Sequence, residues 1–257
     1  MFGEPCPIKK KSAVFNLIWT YVVKELDGRK KACCTCNGLM RAGQVRVLDH
    51  TFANSIDQTG SRIFYAVAAA ENLLVYGADV SNAFGEASPP KQGFYIRPNQ
   101  AFREWFMARY GKEIPKGWGV PVLAAMQGHP ESPRLWEKHC DRILVDIGFT
   151  ATVHEPCLYY GHFDGDKVYF KRQVDDFAIA CAEERIANVI FDAIDSKLQI
   201  PIKRQGNPDT IPQSRRTSIS LVYQNLRRNI FDEDSITIFQ HMVRHTIETN
   251  ARSIRHQ

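Results

Sequence analysis

The sequence predicts an α+β fold: an antiparallel sheet with its helices on one face. Three observations carry that expectation. From Ser61 onward the apolar periodicity reads helix, strand, insertion, helix, three strands, helix, strand, an order that builds α+β layers. The 257-residue chain is 44% hydrophobic, enough for the packed core of one large domain or two small ones. Two adjacent carboxylates, Asp175 and Asp176, sit between strand-forming runs at 167–172 and 177–181, which reads as a central hairpin.

The elements follow in order. Residues 15–26 are rich in β-branched and aromatic side chains and read as a strand closed by the turn signal Asp27-Gly28. The basic stretch Arg29-Lys30-Lys31 comes next, then a short strand at 44–48. Residues 61–75 read as a helix, because Ile63, Ala66, Val67, Ala70, Leu73 and Leu74 recur at three and four. Ser61 is its candidate N-cap and Gly77 ends it. Residues 78–84 lead into the Ser88-Pro89-Pro90 loop and a strand at 93–97. Residues 98–120 read as irregular, with Pro98, Pro115 and Gly117-Trp118-Gly119. Ser132-Pro133 opens a helix that runs to Gly148, with Ser as N-cap and Pro at the first helical position. A strand at 157–162, the turn Asp164-Gly165-Asp166 and the strand pair around Asp175-Asp176 follow. Glu183-Glu184 starts a helix with Ile186, Val189, Ile190, Ile194 and Leu198 on one face and acids at its positive end. A strand at 200–203 closes the pattern.

Composition narrows the function. Net charge is +5, a mild basic excess compatible with a nucleic-acid partner. No apolar run reaches the length of a membrane span. Lys9-Lys10-Lys11 is not followed by the long apolar stretch of a signal peptide. The expectation is an intracellular protein of unknown compartment, with no membrane partner. Seven cysteines is an odd number, which points to free thiols in a reducing compartment. Cys33 and Cys36 have CxxC spacing, but Cys140, Cys157 and Cys181 are too scattered to supply a second pair, so zinc is not expected.

Two neighbouring negative charges with apolar flanks persist only where water or a cation neutralises them. A solvated turn is one solution, since Asp is a common turn residue. A bound cation is the other. Asp79, at the end of an earlier strand, can lie beside the pair in the sheet, although it too reads as an ordinary turn Asp. Three acids from two places on one sheet suit a two-metal site for phosphoryl transfer. Mg²⁺ prefers hard carboxylate oxygen and needs no Cys or His.

Four blocks then resemble one family. Asp79-Val80-Ser81-Asn82-Ala83-Phe84 resembles an Asp-Val-x-x-Ala-Phe block. Gly128-His129-Pro130-Glu131-Ser132-Pro133-Arg134-Leu135-Trp136 resembles Tyr-Gly-Leu-Lys-Gln-Ala/Ser-Pro-Arg-x-Trp, and Val174-Asp175-Asp176 resembles Tyr-Val-Asp-Asp. Upstream, Trp19 to Lys24 and the Asp27-Gly28 to Lys31-Ala32 stretch complete the set. Together they resemble the reverse transcriptase of Ty1/copia-type LTR retrotransposons over roughly residues 15–206.

The resemblance implies a right-hand polymerase, with fingers and palm in residues 1–206 and thumb and RNase H absent. It implies RNA-directed DNA polymerase activity, a nucleotidyl transfer from dNTP to a primer 3′-hydroxyl. Asp79, Asp175 and Asp176 would be catalytic and hold two Mg²⁺ ions, with Mn²⁺ as an alternative. Lys31 would neutralise the triphosphate, a role open also to Lys30. Phe84 would exclude a 2′-hydroxyl, where core packing is the ordinary alternative for such a ring. Gln173 would face the primer end. The implied partners are an RNA or DNA template with primer, dNTP and other products of the retroelement.

Departures from the family pattern concern grip. Cys33 stands where an Arg is expected, Gln173 where a Tyr is expected, and Pro130-Glu131 where Lys-Gln is expected. Loss of a guanidinium fork weakens a triphosphate contact. Residues 207–257 match no block, contain no lysine and hold seven arginines, which suggests a frame or splice change near 206. A helix is expected over 234–254. The alternative reading is therefore an inactive relic that retains at most nucleic-acid binding.

Overall fold

The structure is a computed structural model that describes residues 1–23, 28–38 and 51–205. The strand expected at 44–48, the Asp27 half of the turn signal and all that is expected of the 207–257 tail lie outside the described residues. In chain order the elements are β1 (Cys6–Pro7), β2 (Ala13–Val23), β3 (Lys30–Cys36), α1 (Gln58–Ala70), β4 (Leu74–Asp79), α2 (Ala83–Glu86), β5 (Phe94–Arg97) and α3 (Gln100–Tyr110). They continue with β6 (Trp118–Val122), α4 (Ser132–Asp146), β7 (Thr150–Ala151), β8 (Leu158–Phe163), β9 (Asp166–Gln173), β10 (Asp176–Cys181), α5 (Glu184–Asp195) and β11 (Lys203–Gln205). They form two compact units.

The first unit joins the N-terminal segment to residues 82–139. Its sheet has the order β1-β6-β5-β2-β3, antiparallel except for the parallel pair β2 and β5. Ala13, Leu17, Phe94, Ile96, Phe102, Phe106, Val120 and Val122 form its core. Two elements arise where irregular chain is expected. Helix α3 exists because Asn99 accepts the Phe102 N–H at 3.0 Å and Gly111 ends it in the left-handed region at φ 65°. Strand β6 follows it and pairs with β5. The CxxC cysteines sit on β3, where positions three apart point to opposite faces, so Cys33 and Cys36 do not converge. Gly128 cannot be substituted freely: it has φ 89°, and a Cβ there would collide with the Cys36 carbonyl.

The second unit joins residues 54–81 to the chain from Cys140 onward. Its sheet is wholly antiparallel, in the order β11-β4-β10-β9-β8-β7. Side chains directly opposite each other share a face, so the register sorts them. Val75, Ala178, Ala180, Tyr169 and Leu158 pack with Phe64, Tyr65 and Val67 of α1. Arg204 lies opposite Ala78 on the other face, and its guanidinium stands 5.7 Å from the Phe191 ring of α5. Helices therefore cover both faces, where one was expected. The cause is that β10 is apolar at every position after Asp176, so both its faces must be buried.

Several boundaries differ from the sequence reading: β2 begins at Ala13, α5 ends at Asp195, and β11 begins at Lys203, where the strand expected at 200–203 ends. The cap of α1 is Asp57, whose carboxylate accepts the Gly60 N–H at 2.6 Å, and Ser61 is already inside the helix. The helix stops at Ala70, because Asn72 takes a left-handed turn at φ 52° and Leu74 enters β4. Gly77 thus sits within a strand, between Ala178 and Gln205, and breaks no helix. Asp57→Ala is expected to cost about 1 kcal/mol of stability, read as a lower urea midpoint with unchanged slope.

Candidate active site

A single transverse row of the second sheet carries the predicted acids. The register places Lys203 opposite Asp79, Asp79 opposite Asp176, and Asp176 opposite Gln173, across β11, β4, β10 and β9. These four positions share one face at one end of the sheet. Gln173 and Asp176 close a two-residue hairpin loop of Val174 and Asp175. Val174 has φ 56°, a conformation that a β-branched residue resists, with a cost of about 1–3 kcal/mol. The Asp175 carbonyl accepts the Val80 N–H at 2.8 Å, which ties the hairpin tip to the chain leaving β4.

The row is electrostatically frustrated. Desolvation, then the charges of Asp175 and Asp79, hold the Asp176 carboxyl above its usual range, while Lys171 pulls it down. Lys203 Nζ stands 3.8 Å from Asp79 Oδ2, but its side chain is 67% exposed, so solvent screens that pair. Asp176→Asn is expected to raise the thermal midpoint at pH 7 without divalent cation. The sign follows from linkage: a raised carboxyl makes ionisation costly in the fold, so the gain exists above the folded pKa. It should vanish as pH falls below about 4, where the unfolded carboxyl is also protonated. A midpoint lowered at pH 7 would contradict this reading.

Among the described residues no three His, Cys, Asp or Glu side chains converge closely enough to form a ready metal cage. The donor set nonetheless suits a divalent cation of Mg²⁺ type. Its carboxylates are hard, Asp79 and Asp176 stand opposite each other on neighbouring strands, and such an ion needs only one or two protein carboxylates.

The remaining predicted residues divide between the units. Lys31 is exposed on β3 opposite Val22, in the first unit. Phe84 lies in the short α2 of the same unit and is half-buried. Gln173 is exposed at the end of β9, in the row itself.

Sequence reasoning missed three cations. Lys203 entered only as the end of a strand. Lys171 and Arg172 entered only as part of a strand-forming run, yet they are 3% and 2% exposed on opposite faces of β9. Lys171 Nζ lies 3.4 Å from the Tyr65 hydroxyl and 4.9 Å from its ring centroid. Arg172 donates to Cys157 Sγ at 3.5 Å. The available signal was the Lys171-Arg172 pair, separated from the acids by Gln173 and Val174, within a strand whose preceding residues Val168, Tyr169 and Phe170 are apolar.

Fold and site together define a mixed α+β protein with an acidic hairpin at a strand end. The pattern of the family described as reverse transcriptase (RNA-dependent DNA polymerase) matches residues 6–203. That span is well over half of the chain, and the chain belongs to this family. No individual curated protein matches it. No helix of the described residues is long and apolar enough to cross a membrane.

Proposed function

We propose that the chain is the fingers and palm of a Ty1/copia-type retrotransposon reverse transcriptase, with Asp79, Asp175 and Asp176 as its catalytic carboxylates. The observation that carries the proposal is the opposition of Asp79 and Asp176 across neighbouring strands, with Asp175 next to them in the hairpin. In the reaction, the primer 3′-hydroxyl oxygen bonds to the α-phosphorus of a dNTP. The bond from that phosphorus to the bridging oxygen breaks, pyrophosphate leaves, and the hydroxyl proton goes to solvent. Asp79, Asp175 and Asp176 would hold Mg²⁺, which when bound supplies stabilisation of charge on the attacking and leaving oxygens.

The other residues act by contact. Lys31 brings a point charge to the triphosphate. Gln173, in the acidic row, offers an amide to the primer end. Phe84 would set its ring against the sugar and exclude a 2′-hydroxyl. Template and primer would be held mainly through their phosphates, so binding should weaken steeply with salt. Phe84→Ala is expected to raise ribonucleotide incorporation relative to deoxyribonucleotide by about 10-fold or more, measured as the ratio of kcat/KM values.

The test is extension of oligo(dT) on poly(rA) with dTTP and Mg²⁺, against an EDTA arm. Extension that stops with EDTA supports the polymerase. Salt-sensitive binding of the primer–template without extension supports the relic, a reading favoured by Cys33 in place of an expected Arg.

A further inference from the structure

Lys171 is the one lysine in the described residues that is buried, and it stands behind the acidic row. Its register partners are Leu158 on β8 and Ala178 on β10, and Ala178 is opposite Gly77 on β4. The next row on the same face, two residues along, is Gln173–Asp176–Asp79. Lys171 and Asp176 are therefore diagonal cross-strand neighbours, with backbones roughly 7–8 Å apart, within reach of a long side chain. The two positions beside Lys171 toward β4 are Ala and Gly, the smallest residues, so no bulky side chain on that face separates it from the acids.

Around its ammonium group are the Tyr65 hydroxyl at 3.4 Å, the Tyr65 ring and, at 6.0 Å, the Phe64 ring. Among the described residues it has no carboxylate at ion-pair distance. A buried cation without a contacting anion is costly and needs a reason. The field of the acidic row is the compensating feature on its face of the sheet, and Asp176 and Lys171 each bias the other toward the charged form.

We propose that Lys171 tunes the acidic row from behind: a fixed internal cation, diagonal to Asp176 across the sheet, that lowers the affinity of the row for divalent metal. The proposal rests on the metal-site reading above and adds to it how tightly that site binds. A cation that already neutralises part of the row repels an incoming one through a poorly screened interior. The consequence is a site that takes and releases metal readily, where three unopposed carboxylates would retain it.

The test is Mn²⁺ binding to the full chain, read from the free-ion electron paramagnetic resonance signal without nucleotide or primer. Lys171→Met is expected to lower the Mn²⁺ Kd roughly tenfold. Lys171→Gln, a second neutral variant, should do the same. Lys171→Arg keeps the charge and should stay within about twofold of the parent. Lys167→Met removes an exposed lysine from the same face of β9 and should leave the Kd unchanged. Asp175→Asn should weaken binding in every background. If Lys171→Met and Lys171→Gln bind Mn²⁺ like the parent while Asp175→Asn loses it, the metal site stands and the role of Lys171 is refuted. If the parent binds no Mn²⁺, or Asp175→Asn does not change it, the metal-site reading fails and this proposal falls with it.

Discussion

Asp175→Asn is expected to reduce Mg²⁺-dependent primer extension by about 10³-fold or more, equivalent to about 4 kcal/mol of transition-state stabilisation. The side chain keeps its shape and loses only its charge, so the loss reports on electrostatics. Asp79→Asn should behave alike, because its strand position is opposite Asp176 in the same row. Groups that act as a unit are not additive, so the double variant should be little worse than either single one. Stability provides the internal control. Each substitution removes one charge from the cluster of Asp79, Asp175 and Asp176, and the thermal midpoint, measured alongside, separates lost activity from unfolding. Retention of a tenth of the parent rate by either single variant would remove that residue from the catalytic set.

Lys171→Met is expected to stabilise the fold at pH 7 by about 3 kcal/mol. Two effects oppose each other at this ammonium. Burial disfavours its charge, and Asp176 favours it. Burial wins, because the group is pushed down from 10.5 to about 8. A base depressed in the fold makes its protonated form costly there. The penalty is complete below the folded pKa and disappears as pH rises through the window from about 8 to about 10.5. The advantage of Lys171→Met over the parent should therefore be largest at neutral pH and shrink across that window. Urea unfolding at pH 7 and pH 10 measures both ends. An equal gain at both pH values would mean that packing, and not charge, is responsible. A stability cost retained at the working pH is what a functional role for Lys171 would require.

How much of this was legible in the chain depended on whether the signal was local. Helices α4 and α5 and the strands β8 to β10 follow from apolar periodicity and turn residues, each complete within a short window. Strand β3 was hidden, because Lys-Lys-Ala-Cys-Cys-Thr-Cys has no apolar alternation; it is held by pairing with β2. Helix α3 was hidden by the proline and glycine around it, although Asn99 and Gly111 mark its two ends. The end of α1 was misplaced because Leu73, Leu74 and Val75 continue the helical spacing, while Asn72 turns the chain out of it. The helices proved to lie on both faces because burial of both sides of β10 is a property of the assembled sheet.

The acids divide along the same line. That Asp79, Asp175 and Asp176 are carboxylates in ordered blocks was a property of the sequence, and with it the family. The opposition of Asp79 to Asp176, the arrival of Lys203 beside Asp79 and the burial of Lys171 behind them were decided by the tertiary structure. Side-chain type is written residue by residue. Register is not, because a strand's partner lies far along the chain, and a slip of one residue would turn every side chain to the other face. The sequence by itself determined which chemistry is available. The sheet decided which charges meet, and how much water stands between them.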